Sequence, residues 1–119
     1  MTDQSARRPE RTAAWKQLTH LAEIATQTHN RDRVGESDRF EKYSIRVGSL
    51  LIDFSKQRID RPIFKGLTAL AEECRVPDLV SAQMTGEIVN ATENRPALHT
   101  ALRTPKDAKP ISVNHDIEL

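Results

Sequence analysis

Aromatic side chains are scarce in this 119-residue chain: one Trp, one Tyr and three Phe make up 4% of it. Apolar residues of all kinds reach 37%, below the usual share for a globular domain, while charged residues reach 29%. The length suits one domain, but the thin supply of core residues fits a peripheral piece that borrows burial from a larger body. Cysteine is limited to Cys74, which excludes an internal disulfide and any CxxC motif and fits a small buried residue in a reducing compartment. No apolar run approaches membrane-spanning length, and the first residues lack the apolar stretch of a secretory signal. A cytoplasmic location is therefore expected. Charge of one sign is also missing, since 18 Lys and Arg face 17 acids and leave a net charge of +1. Such a balance provides no field to gather nucleic acid or an anionic membrane, and neither partner is expected. The only basic run, "RRPER" at Arg7 to Arg11, reads as a solvated, mobile end.

Several chemistries lack their residues. The four glycines stand apart at 35, 48, 66 and 86, so there is no phosphate-cradling loop, and no GxSxG elbow occurs. His20, His29, His99 and His115 form no pair at metal-ligand spacing, so no metal site is expected. "NAT" at Asn90 to Thr92 matches a glycosylation acceptor without a secretory context. Glu72 and Glu73 are neighbours on a helical pattern and read as a solvated face.

What is present is mainly helical patterning. From Thr12 to about Thr28, Ala14, Trp15, Leu18, Leu21, Ala22 and Ala25 recur at helical spacing, with Thr12 placed to cap and Trp15 as an apolar anchor that must dock against something. His29 to Phe40 is polar and reads as a loop that can hold one helical turn. Within Lys42 to Lys56, Tyr43, Ile45 and Val47 alternate, Gly48-Ser49 can turn, and Leu50, Ile52 and Phe54 alternate again, which predicts a β-hairpin. A hairpin alone is marginal in water, so its apolar side needs a cover. Asp60 can cap a helix that carries Phe64, Leu67, Leu70, Ala71 and Cys74 on one face and ends at Pro77. A shorter helix is expected from Pro77 or Asp78 to Met84, with Gly86 as its stop. The segment after Arg103 reads as extended, with a strand beginning at Ile111 to Val113.

The stretch "TENRPALHTALR", Thr92 to Arg103, gathers Glu93, Arg95, His99 and Arg103. Carboxylate, guanidinium and imidazole are the groups that move protons and hold anions in enzymes. The alternative is structural: with Pro96 opening a helix, Leu98, Ala101 and Leu102 share a face and the charges ring it. Nothing in the spacing brings a converging partner from elsewhere, which favours the structural reading.

The sequence resembles the glucose-6-phosphate isomerase (phosphoglucose isomerase) family, in its N-terminal portion. The resemblance rests, in the family's order, on "TAAWKQL" from Thr12, "DRFEKYS" from Asp38, "LLIDFSKQRI" from Leu50, "LAEEC" from Leu70 and "MTGEIVNATENRPALHTALR" from Met84 to Arg103. It spans about three-quarters of the chain. It departs from the family at Asn30 to Ser37, which is polar where the family has an apolar pair, and it fades after Arg103.

The resemblance implies aldose–ketose isomerisation between glucose 6-phosphate and fructose 6-phosphate in glycolysis and gluconeogenesis, without metal or organic cofactor. In that chemistry a histidine helps open the ring, a glutamate moves a proton between C2 and C1 through a cis-enediol, and a cation steadies the oxyanion. It also implies a sugar-phosphate substrate, a homodimer, and an α/β sandwich of which this chain is the N-terminal helical portion. No catalytic, substrate-binding or metal residue carries over onto this chain, because the family's phosphate loop, base, histidine and lysine belong downstream. The expected organisation is a flexible 1–11, an isomerase-like helical segment at 12–103 with a hairpin near 42–56, and an extended tail at 104–119. The fold expectation is mainly α with one β-hairpin. The functional expectation is an isomerase fragment inactive alone, with a non-catalytic helical interaction module derived from such an enzyme as the alternative.

Overall fold

A computed structural model describes residues 8–90, 92–109, 112–113 and 117–118. The chain forms two compact units, Met1–Cys74 and Arg75–Leu119.

The first unit is built on two helices. A 3-10 turn at Pro9–Arg11 leads to Thr12, whose hydroxyl accepts the Trp15 N–H at 3.1 Å and starts helix α1, Ala13–Thr26. Asp60 caps a second long helix by accepting the Ile63 N–H at 3.0 Å, and Pro62 sits in its first turn, where no N–H is needed. Because two short helices intervene, this one is α4, Arg61–Glu73. The two long helices pack on each other where α4 carries Gly66: a Cβ there would stand 2.8 Å from Leu18 Cδ2. Glycine is thus what lets α1 approach so closely. Both expected caps are present. The expected core face of α4 is only partly covered, since Cys74 is buried but Leu67 is 45% exposed.

The polar stretch after α1 is more ordered than its composition suggests. It holds α2, Asn30–Val34, which is the one helical turn expected in this loop, and the start of α3, Arg39–Lys42, which the loop reading did not include. The reason is long-range support that no local pattern displays. Asn30 Nδ2 donates to the Lys56 carbonyl at 2.8 Å, and Arg33 Nη1 pairs with Asp60 Oδ2 at 2.9 Å.

The hairpin pairs β1, Ser44–Val47, with β2, Leu50–Asp53, antiparallel, with Val47 opposite Leu50. Gly48 takes φ 59 at the first turn position, a conformation that costs glycine little. The base of the hairpin is covered: Tyr43 stands edge-on to Phe54 and Phe64, and Phe54 stacks on Phe64 with centroids 5.8 Å apart. Beyond that base, Ile45, Val47, Leu50, Leu51 and Ile52 are all exposed.

In the second unit, α5 spans Val76–Thr85 with Pro77 in its first turn, and Gly86 ends it at φ 80. The chain leaves α4 at Cys74 and turns at Arg75, φ 58, so the break precedes Pro77, which opens the next helix and does not close the last. β3, Ile88–Asn90, pairs antiparallel with β4, Arg95–Pro96, and β5, Ser112–Val113, with β6, Ile117–Glu118. The described residues are mainly helical, as expected, but hold three two-stranded pairs where one hairpin was expected. The strand expected from Ile111 is present at Ser112–Val113; Ile111 itself lies outside the described residues.

Candidate functional site

The Thr92–Arg103 segment does not form the helix that Pro96 would open. The turn before it is set by Asn90, whose Oδ1 accepts the Thr92 hydroxyl at 2.8 Å and the Glu93 N–H at 3.3 Å, with Asn94 at φ 52 completing the reversal. The chain then runs back along β3, so Arg95 and Pro96 lie in a strand, and only Ala101–Arg103 closes a single 3-10 turn. A two-stranded pair tolerates proline because one side of each strand needs no donor. Leu102, expected on a shared apolar face, is 90% exposed.

The four charged side chains are not brought together. Glu93 accepts from Asn90 Nδ2 at 3.2 Å, which fixes it to its own turn. Arg95, His99 and Arg103 are exposed, and among the described residues no ion pair joins any of them to Glu93. A proton-transfer site needs its groups within hydrogen-bond reach of one reacting centre, and this segment lacks that geometry. Among the described residues no group of three or more His, Cys, Asp and Glu is placed to hold a metal ion.

The buried charge lies instead at Arg39, in the "DRFEKYS" motif, a residue to which sequence reasoning gave no role. It is 2% exposed. Its Nε donates to the Ser55 carbonyl at 2.5 Å and its Nη2 to the carbonyls of Gln57 and Ile59, both at 2.8 Å. Glu36 lies 3.7 Å from Nη1, and the guanidinium stands 4.8 Å over the Tyr43 ring. Arg39 thus ties the strand leaving the hairpin to the entry of α4. Next to it, the hydrogen bond from Lys42 holds the Asp38 carboxyl below its ordinary value, in an exposed i,i+4 pair at 2.7 Å.

An open apolar groove of about 480 Å³ runs between α1 and α4. Trp15, Leu18, Ala22, Ile63, Leu67 and Leu70 form most of its walls, and among the described residues Arg58 is the one charged residue lining it. Trp15 is 44% exposed in this groove, so the expected anchor is not docked within the first unit. The groove and the exposed Ile45, Val47, Leu50, Leu51 and Ile52 of the hairpin both lie in this unit.

Residues 53–117 match the family model described as phosphoglucose isomerase, more than half of the chain. The chain belongs to the phosphoglucose isomerase family. The matched span runs from the end of β2 through α4, α5 and the Thr92–Arg103 segment, so the charged cluster lies within the part that the family shares. Phosphoglucose isomerase relatives are similar over most of the chain. The glucose-6-phosphate isomerase of Pseudoalteromonas translucida is 45% identical over 92 residues, 76% of this chain and 17% of its own length. That of Christiangramia forsetii is 43% identical over 102 residues, 84% of this chain and 19% of its own. The cytosolic glucose-6-phosphate isomerase of Arabidopsis thaliana is 38% identical over 97 residues, 82% and 17%. The chain therefore spans less than a fifth of the length of these isomerases. No helix among its described residues is long and apolar enough to cross a membrane.

Proposed function

We propose that this chain is the N-terminal portion of a glucose-6-phosphate isomerase and serves as scaffold for catalytic lobes that lie outside it. The whole enzyme would interconvert glucose 6-phosphate and fructose 6-phosphate in the cytoplasm, as a homodimer, through proton transfer between C2 and C1. The observation that carries this reading is the pairing of 38–45% identity over most of the chain with coverage of only 17–19% of each relative. The dispersed Glu93, Arg95, His99 and Arg103 and the uncovered apolar faces agree with a supporting role.

The test is a chimera in which residues 12–103 replace the aligned segment of the Pseudoalteromonas translucida enzyme. The chimera is expected to isomerise fructose 6-phosphate, and a folded chimera without turnover would contradict the scaffold reading. The second reading, a free-standing interaction module, is favoured by the open groove between α1 and α4. It requires the 119-residue chain to bind an intact isomerase subunit in a pull-down, whereas the scaffold reading expects that place to be filled already.

A further inference from the structure

We propose that the groove between α1 and α4 seats a third helix, contributed by the part of an isomerase polypeptide outside the segment matched here; this rests on the scaffold reading above. Both walls are helices whose backbone groups are satisfied internally, so the groove has no free N–H or C=O row to offer a strand. An occupant excluded from water there must satisfy its own backbone, which selects a helix. The walls suit one. α1 has 14 residues, about 21 Å at 1.5 Å per residue, and Ala22 and Ala25 in the lining let a neighbouring helix come close.

The lining also constrains the occupant's polarity. Trp15, Leu18, Leu67 and Leu70 demand an apolar stripe at helical spacing. Arg58, a charge in the lining, complements either an acidic side chain or the C-terminal end of the seated helix. The source is the rest of the isomerase because the chain spans less than a fifth of its relatives, which leaves most of their polypeptide available to cover it.

Cysteine accessibility tests this. Ala22→Cys and Leu67→Cys are introduced separately into the 119-residue chain and into the Pseudoalteromonas chimera, and maleimide modification of each site is followed by peptide mass mapping. Both sites are expected to react freely in the chain and at least about tenfold more slowly in the native chimera, with urea restoring the rate. Equal rates in chain and chimera would overturn the proposal. So would protection already present in the chain alone, because residues 75–119 or a second copy would then be the occupant. An active chimera with open cysteines would leave the scaffold reading standing and remove this one; protected cysteines in an inactive chimera would do the reverse.

Discussion

The carboxylate of Glu73 accepts the backbone N–H of Ala13 at 3.0 Å, and its other oxygen accepts that of Ala14 at 3.2 Å, so the last turn of α4 closes the first turn of α1. The contact joins residues 60 apart. It places negative charge on helix N–H groups that have no partner in their own helix. Glu73 is therefore a structural acid and not the solvated neighbour of Glu72 that sequence adjacency implies. Glu73→Ala is expected to cost about 1 kcal/mol of stability, with Glu73→Gln intermediate. Glu72→Ala, at an exposed site, should stay within about 0.5 kcal/mol. Urea unfolding followed by circular dichroism measures all three.

Arg39 should be the most sensitive polar position of the first unit. Arg39→Met keeps the apolar stem but strands the carbonyls of Ser55, Gln57 and Ile59, and is expected to cost about 3 kcal/mol. Arg39→Lys should recover little of this, because one ammonium cannot reproduce the planar fork that spans these acceptors. The shift in urea midpoint of the two variants decides it, and near-complete recovery by lysine would refute the clamp.

Acid should weaken the junction at Asp60. Partial burial pushes its carboxyl up, but the Ile63 N–H and the hydrogen bond and charge of Arg33 outweigh that, and the net effect holds it below its ordinary value of 3.8. The folded state thus favours the carboxylate more than the unfolded chain does. The resulting stabilisation is complete above the ordinary value and is lost as pH falls through the lower folded one. Asp60→Asn should accordingly show its largest stability deficit near neutral pH, and the deficit should shrink in acid. A deficit that grows on acidification would contradict the sign of this effect.

His99 should be dispensable for chemistry. In the Pseudoalteromonas chimera, His99→Asn is expected to lower kcat by less than about tenfold, whereas loss of a general acid or base costs typically ~10²–10⁴-fold. Steady-state kinetics with fructose 6-phosphate separates these outcomes.

Sequence reasoning succeeded where local chemistry decides structure. Thr12 and Asp60 cap as their positions suggest, the apolar periodicity of α1 and α4 holds, and Gly48 supplies the hairpin turn. It failed where distant partners decide. The polar run holding α2 and α3 is ordered by Lys56, Asp60 and the carbonyls beyond β2, none of which shows in the run itself. Pro96 could open a helix by its own preference, but the Asn90-centred turn folds it back as a strand. Glu93, Arg95, His99 and Arg103 stand close in sequence, yet among the described residues no ion pair joins them, because the turn at Asn90 and the short strand after it set each one's place. The resemblance to phosphoglucose isomerases was visible in five short motifs and is borne out by the match over residues 53–117.

The central claim is that this chain holds scaffold and not chemistry. Purified chain, assayed for conversion of fructose 6-phosphate to glucose 6-phosphate by coupling to glucose-6-phosphate dehydrogenase, is expected to give no turnover above the uncatalysed background. Turnover that scales with chain concentration and survives repurification would contradict the account.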